Sequence, residues 1–475
     1  MKSPVIVKGA ALLLVLACLA FGLISIGDIV HERHGNQRTA EMNVEQDQVG
    51  KQTLMGPVLQ RYCTEQWQAW DGEGAARKLR NERRSFMLTA PPGTLQVDAQ
   101  VDQDPRYRGI FRIDTYAAKM RLKAQWPASD AMLPPRSEHA DGRVQCEAPT
   151  LMLALMDARG IRSAHAAVNG RDVAIQPGTQ HPGYPRGFHM ELDETAAAGR
   201  ELSADVTLEL QGTAQLSFAP VAESTQVKMN ADWPHPSFGG RFLPAERTVT
   251  DQGFEATWRV FSLATTAPAD YGRSVPLCAV DMRQEYGPEP GSCVESFGVA
   301  FFDPVNPYSL SSRAVKYGML FVGLTFIAVG MLELLRRLRV HPMQYLLVGS
   351  ALSIFFLLLL SLSEHMPFGW AYACASAACS LLLAVYVSYA MGGKRTGLGF
   401  GLGVGGLYGA LYVVLQSEQA ALMMGSLLLF AVLAAVMLAT RKLDWYGVLG
   451  SDKAAAPTQA APLQAAPQSA LPPVP

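Results

Sequence analysis

His31 and His34 stand three residues apart in His31-Glu32-Arg33-His34, a spacing that turns two imidazoles to one face of a helix and could hold a metal ion. The string lacks the H-E-x-x-H order in which a glutamate serves a zinc-bound water. It directly follows an apolar run, so a polar collar at a membrane surface explains it without chemistry. The second candidate is Trp233-Pro234-His235-Pro236-Ser237-Phe238, where two prolines fix the backbone on either side of His235. Its aromatics either pack the loop onto a sheet or present His235 to a ligand, so Trp233, His235 and Phe238 are a candidate interaction loop. Glu364-His365 is a third polar pair, at the end of an apolar stretch. No G-x-S-x-G elbow, S-x-x-K string or Walker A loop occurs. No catalytic, cofactor-binding or metal-ligating residue is assigned, no cofactor is implied, and the chain is read as non-enzymatic.

What positions these residues is a chain of 475 residues, 49% hydrophobic and only 17% charged. An average soluble protein is roughly 25% charged. Net charge is −1, which gives no reason to expect nucleic acid as a partner. Six stretches almost free of Asp, Glu, Lys and Arg approach or exceed the ~20 residues of a bilayer span. They are 9–27, 317–332, 343–363, 366–393, 396–417 and 419–440. Six transmembrane helices are expected, with the lipid bilayer as partner. An uncleaved first span is preferred to a signal peptide, because its run is long and no A-x-A site comes after it.

Lys2, Lys8, Arg336, Arg337, Arg339, Lys394, Arg395, Arg441 and Lys442 all fall on one side of such a bundle, while the loops at 364–367 and 416–419 hold no Lys or Arg. Cations stay inside. Both termini are therefore cytoplasmic, and the long segment from Asp28 to about Ser312 lies outside.

That outer segment alternates with period two. Ala118, Met120, Leu122, Ala124 and Trp126 are interleaved with Lys119, Arg121, Lys123 and Gln125, and the pattern returns at Val206–Gln211 and Phe254–Val260. The alternation implies a β-rich domain with one wet face, and composition marks 127–142 as an internal boundary. The segment also holds Cys63, Cys146, Cys278 and Cys293, an even number in an oxidising compartment. Three pairings exist. Cys278–Cys293 is favoured, closing a loop around Gly287–Gly291. In the fifth span Gly397, Gly401, Gly405 and Gly409 recur every four residues, a stripe for close helix packing within the bundle or at a homo-oligomer seam. From Ser451 the chain is Ala, Pro and Gln and cannot bury a core.

Trp233-Pro-His-Pro-Ser-Phe238 with Phe242-Leu-Pro244, Asp303-Pro-Val-Asn-Pro-Tyr-Ser-Leu-Ser-Ser-Arg-Ala-Val-Lys-Tyr317, His341-Pro-Met-Gln-Tyr-Leu-Leu-Val-Gly349, Ser363-Glu-His365 and Asp444-Trp-Tyr446 succeed one another in an order that resembles the CreD inner-membrane proteins of Gram-negative bacteria. The resemblance implies an inner-membrane protein whose gene answers to a two-component system. It also implies roles in envelope integrity, colicin tolerance and the response to β-lactams. It supplies no catalytic residues. The exported cysteines and the Ala/Pro tail lie outside its pattern, so no disulfide is carried over.

The expected organisation is a cytoplasmic start and anchor over 1–30, a periplasmic β-rich domain over 31–312, a five-helix bundle over 313–446 and a disordered tail over 447–475. The expected role is envelope maintenance, with the outer domain binding an unknown envelope protein or ligand. The alternative is a transporter or channel for a neutral or lipid-like substrate built from helices two to six.

Overall fold

The computed structural model describes residues 4–47, 49–71, 78–194, 199–279, 291–301, 306–336, 340–390, 393–416 and 421–441. The expected tail, Lys2, Arg337, Arg339, Lys442, Asp303, the Asp444–Tyr446 string and most of Gly287–Gly291 lie outside them. Contacts divide the chain into two compact units. One comprises Met1–Leu19, Tyr317–Phe355 and Tyr372–Pro475; the other comprises Ala20–Lys316 and Phe356–Ala371.

Among the described residues four helices are long and apolar enough to cross a membrane: Val7–Asp47, Pro342–Ser363, Phe368–Ala390 and Lys394–Gln416. The expected second span, 317–332, falls on Gly318–Glu333, which forms with the preceding Pro307–Lys316 a pair bent by 45° that counts as a fifth if taken together. The expected sixth falls on Ala421–Thr440, whose described apolar part, Met423–Leu438, is shorter. The N-terminal helix does not stop at Gly27. It runs Pro4–Asp47 without a break, 44 residues, or about 66 Å at 1.5 Å per residue. No proline or capping signal interrupts the polar sequence after the apolar run, so the helix continues through His31 and His34.

The β-rich unit is a sandwich of two sheets. The eight-stranded sheet has the order Arg171–Val173, Ile161–Val168, Leu202–Thr213, Thr115–Trp126, Thr94–Gln103, Ser224–Ala231, Gly253–Phe261 and Glu246–Thr250. The other has nine strands, built around Gln52–Asp71, which pairs with Gln215–Ala219, Thr150–Leu155, Arg143–Cys146 and Lys78–Ala90. In Thr115–Trp126 the residues Ala118, Met120, Leu122, Ala124 and Trp126 are buried and those between are exposed or partly so, as the alternation requires. They meet Leu54, Leu59, Leu151, Leu153, Phe188 and Phe297 of the nine-stranded sheet in one core.

The segment 127–142 divides nothing. Gln52–Asp71 pairs with strands on both sides of it, as does Thr94–Gln103. Proline and charge there mark a loop within one domain.

An irregularity in Gln52–Asp71 sets the face on which its charges lie. The register shifts between Met55 and Val58, and Gly56 takes a φ of 105° where a Cβ would meet the Met152 carbonyl oxygen. Before the shift the even residue Leu54 faces the core; after it the odd residue Leu59 does, and Met55 and Val58 share the outer cluster. A bulge reverses the side-chain phase of everything downstream. Arg61, Cys63 and Glu65 therefore share the face of Leu59.

Candidate functional site: a cleft walled by a strapped loop

Arg61 is 6% exposed, and its guanidinium is held by three acceptors: Glu147 O at 2.7 Å, Met132 O at 3.1 Å and Glu194 Oε1 at 2.7 Å. Four residues on, Glu65 is 2% exposed. Its Oε1 accepts from Ser137 Oγ at 2.6 Å and the Glu138 amide at 3.0 Å, with His139 Nδ1 at 3.3 Å. The Ser137 hydroxyl, above all, lowers the Glu65 pKa; burial opposes it, and His139 and the Glu138 amide assist. Trp67 stacks flat on the His139 ring, centroids 4.1 Å apart. Between the two charges Cys63 faces Cys146 in register and is bonded to it, S–S 1.99 Å. One strand thus fastens the loop 127–142 at Met132 and Ser137–His139 and the strand after it at Cys146.

The fastened loop walls a cleft of about 270 Å³ at the mouth of the sandwich. Leu59, Ala90, Trp126, Met132 and Leu202 supply apolar surface, and exposed Arg200 and Glu223 stand on the rim. The Trp126 indole donates to Ala90 O at 2.9 Å, fixing the ring. A larger hollow of about 620 Å³ on the eight-stranded sheet is open and polar. Of its three cations two are paired, Arg121 with Asp205 at 2.6 Å and Lys228 with Glu255 at 2.8 Å; the first pairing lowers the Asp205 pKa and raises that of Arg121. The smaller cleft is the more enclosed of the two, and a concave, enclosed site is the commoner form of a binding site.

The residues singled out by sequence lie elsewhere. Trp233 is buried edge-on to Phe301, and its indole donates to the His235 carbonyl at 2.9 Å. Phe238 packs edge-on to Phe254 and Trp258. Both rings belong to the sandwich, and His235 is exposed between them. Cys278 and Cys293 are bonded, S–S 2.02 Å, and Thr53 Oγ1 donates to Cys278 O at 2.8 Å. His31 and His34 share a helix face. Burial, then Arg38 and His31, lower the His34 pKa. No group of three His, Cys, Asp or Glu able to hold a metal occurs among the described residues.

The glycine stripe is used unevenly. A Cβ at Gly397 would collide with Ser388 and the Ala384 carbonyl, and one at Gly401 would come within 2.6 Å of Ala384 Cβ. These two glycines seat Lys394–Gln416 against Phe368–Ala390. Gly405 has only Ser380 Oγ near it, at 3.6 Å, and Gly409 has open space. Gly349, from the His341–Gly349 string, leaves the room that Leu19 fills.

Two carboxylates receive a tyrosine and a cation from the N-terminal helix. Tyr308 donates to Glu364 Oε1 at 3.4 Å, and Arg33 Nε lies 3.7 Å from the same oxygen. Nearby, Asn306 donates to Gln37 at 3.0 Å. Glu333 accepts from Lys8, from Tyr345 at 2.9 Å and from the Val340 amide at 3.2 Å. Sequence reasoning found Glu364 but neither its partners nor the Arg61–Glu65 pair. The latter had one visible signal, charges alternating with a cysteine along an extended segment.

The family model for the inner membrane protein CreD matches residues 4–446. The chain belongs to the CreD family. Inner membrane protein CreD of Escherichia coli strain K12 is 32% identical over 447 residues, 94% of this chain and 95% of that one. As a CreD-family chain with apolar helices, it is a protein of the inner membrane. Among solved structures, the InvG secretin-domain β-barrel of the Salmonella SPI-1 injectisome aligns with 37% of this chain and 65% of that one at 8% identity. Its TM-score is 0.06, too low to bear on the fold.

Proposed function

We propose that this CreD-family protein maintains the cell envelope of a Gram-negative bacterium as a non-enzymatic, inner-membrane stress-response component. Its sandwich faces the periplasm and binds a partner there. Six spans carry it, with both termini in the cytoplasm. The cations of the short connections support that orientation, and the two disulfides of the sandwich are at home in an oxidising compartment.

The observation that carries the binding role is the cleft beside the strapped loop. Its walls mix apolar side chains, Leu59, Trp126, Met132 and Leu202, with polar ones, Thr89 and Ser129, and its lining includes one charge of each sign, Arg200 and Glu223. It offers contact rather than a nucleophile with a base beside it. The decisive experiment expresses the sandwich tethered by the first helix alone in a deletion strain. Restored tolerance to colicin and β-lactam supports binding by the sandwich; failure despite correct folding and export overturns it.

A second reading, a route for a neutral or lipid-like substrate through the bundle, draws on Thr325, Ser380 and Tyr408, whose buried hydroxyl oxygens have no hydrogen-bond partner among the described residues. Such groups in an apolar bundle await a donor or acceptor. Replacing all three with Val, Ala and Phe separates the readings: a route loses activity, and a passive anchor keeps it.

A further inference from the structure

Arg200 and Glu223 enter the cleft from different strands, and the sheet sets the distance between them. In the eight-stranded sheet Leu202–Thr213, Thr115–Trp126, Thr94–Gln103 and Ser224–Ala231 lie side by side in that order. Leu202 pairs with Trp126, Thr94 with Gln125 and Ser224 with Thr94, so all four strands begin or end at the cleft. Arg200 stands two residues ahead of the first strand and Glu223 one residue ahead of the last. Three strand spacings of about 4.8 Å put their backbones about 14 Å apart.

Both side chains belong to the lining, and both are exposed. The Gly199 amide donates to Ser129 O at 3.3 Å, which keeps the Arg200 segment against the strapped loop. A Cβ at Gly93 would come within 3.8 Å of Glu223 Oε2 and 3.3 Å of Pro127 Cδ, so the carboxylate lies against the wall. Between the two charges the wall offers apolar surface at Trp126 and Met132 and hydroxyl groups at Thr89 and Ser129. The Trp126 ring is fixed by its bond to Ala90 O, and Met132 by the hold of Arg61 on its carbonyl. A site already ordered costs little to fill.

An occupant matched to this wall has a positive end, a negative end and an apolar group between them. A free amino acid carries both charges on one carbon and reaches only one side. A fatty acid answers Arg200 and brings nothing for Glu223. A peptide with free ends has an ammonium at one terminus, a carboxylate at the other, and amides for Thr89 and Ser129. The two side chains reach inward, so the gap between their charges is shorter than that between their backbones. It matches two or three residues at about 3.3–3.6 Å each.

We propose that the cleft binds a short peptide with both ends free, two or three residues long and carrying one bulky apolar side chain. Its amino end meets Glu223, its carboxylate meets Arg200, and its side chain lies against Trp126 and Met132. This rests on the reading that the sandwich binds a partner, and it names that partner's chemistry.

The test measures binding of the tripeptide Ala-Phe-Ala to the full chain in maltoside micelles by calorimetry. The free tripeptide binds, and Ala-Ala-Ala binds about tenfold more weakly. Acetylating the amino end weakens binding about fivefold in the native chain and leaves it unchanged in Glu223→Gln. Amidating the carboxyl end does the same in the native chain and changes nothing in Arg200→Gln. Both substitutions fall on exposed side chains, and an unchanged melting temperature shows that each variant is folded. The proposal is overturned by no binding up to about 1 mM, by capped and free peptides binding alike, or by caps that weaken binding as much in these variants as in the native chain. Displacement of the tripeptide by an equal concentration of phenylalanine or octanoate overturns it as well. Complementation by the tethered sandwich reads a different property. A sandwich that restores tolerance while no tripeptide binds removes this proposal and leaves the binding role; a tripeptide that binds while the sandwich fails to restore tolerance does the reverse.

Discussion

Arg61 and Glu65 flank Cys63 on one face of one strand, and both draw the same loop onto it, Arg61 through the Met132 carbonyl at 3.1 Å and Glu65 through the Ser137 hydroxyl at 2.6 Å. Neither charge has a buried opposite charge as its main partner. Glu65 is satisfied within the loop by Ser137, the Glu138 amide and His139, and Arg61 joins the loop carbonyl of Met132 to Glu147 O and Glu194 beyond it, so loop and strand order one another.

Arg61→Met leaves the carbonyls of Glu147 and Met132 without their donor. Buried groups stripped of a charged partner cost about 3 kcal/mol. Thermal unfolding should show a loss of that order, and hydrogen exchange should quicken first over residues 130–142. Unchanged exchange in the loop would deny Arg61 its holding role.

Glu65 titrates in the opposite sense to a histidine switch. Its pKa is lowered by folding, so it stabilises the strapped loop fully above its ordinary value of 4.5, and that contribution is lost as pH falls through the lower folded value. Protease nicking of the loop should increase as pH is lowered beneath the ordinary carboxylate value of 4.5 in the native chain. In Glu65→Gln nicking should be high and nearly independent of pH over the same range.

Gly397 and Gly409 share the stripe but not the contact. Gly397→Leu should lower the melting temperature in detergent by several degrees, a few kcal/mol of overpacking. Gly409→Leu should leave it within about 1 degree. Equal losses at both would point to a helix packed along the whole stripe.

Arg33 and Glu364 are joined at 3.7 Å with Arg33 half exposed. A double-mutant cycle on Arg33→Gln and Glu364→Gln should give a coupling of no more than about 1 kcal/mol. Tyr308→Phe removes only the hydroxyl that Glu364 accepts and should cost about as much again.

Reducing the Cys278–Cys293 bridge, whose partners are 15 residues apart, should cost about 3 kcal/mol in the chain-entropy account. Non-reducing peptide maps should also join Cys63 to Cys146. Free thiols at either pair would contradict the structure.

Much of the sandwich was legible because its strands obey a single rule. Ala118 to Trp126 alternate in sequence as they do in burial, and Phe254 to Val260 do so except at Thr257, which is buried between Ala256 and Trp258. Gln52–Asp71 defeats that rule, since the register shift beside Gly56 reverses the phase midway. Reading outward from Leu54 would put Arg61 on the wrong face. Thr150–Leu155 is buried on both faces and shows no alternation at all. The Pro127–Gly142 composition was visible, yet the same prolines and charges serve a linker and a fastened loop alike. Trp233 and Phe238 were legible as a knot of aromatics, but the partners that decide their role, Phe301 and Trp258, are distant in sequence. The cleft was invisible for the same reason. Its walls come from five separate stretches of chain, far apart in sequence.

The two bridges join Cys63 to Cys146 and Cys278 to Cys293, so neither encloses nor crosses the other. On the proposed orientation, a polypeptide threaded outward from its N-terminal end delivers these thiols in the order in which they must marry. The second and the fourth sulfur each find the rightful mate already waiting, and the simplest rule, oxidise the latest pair, gives the correct result. An oxidant in the receiving compartment is enough; a shuffling enzyme would have no error to mend.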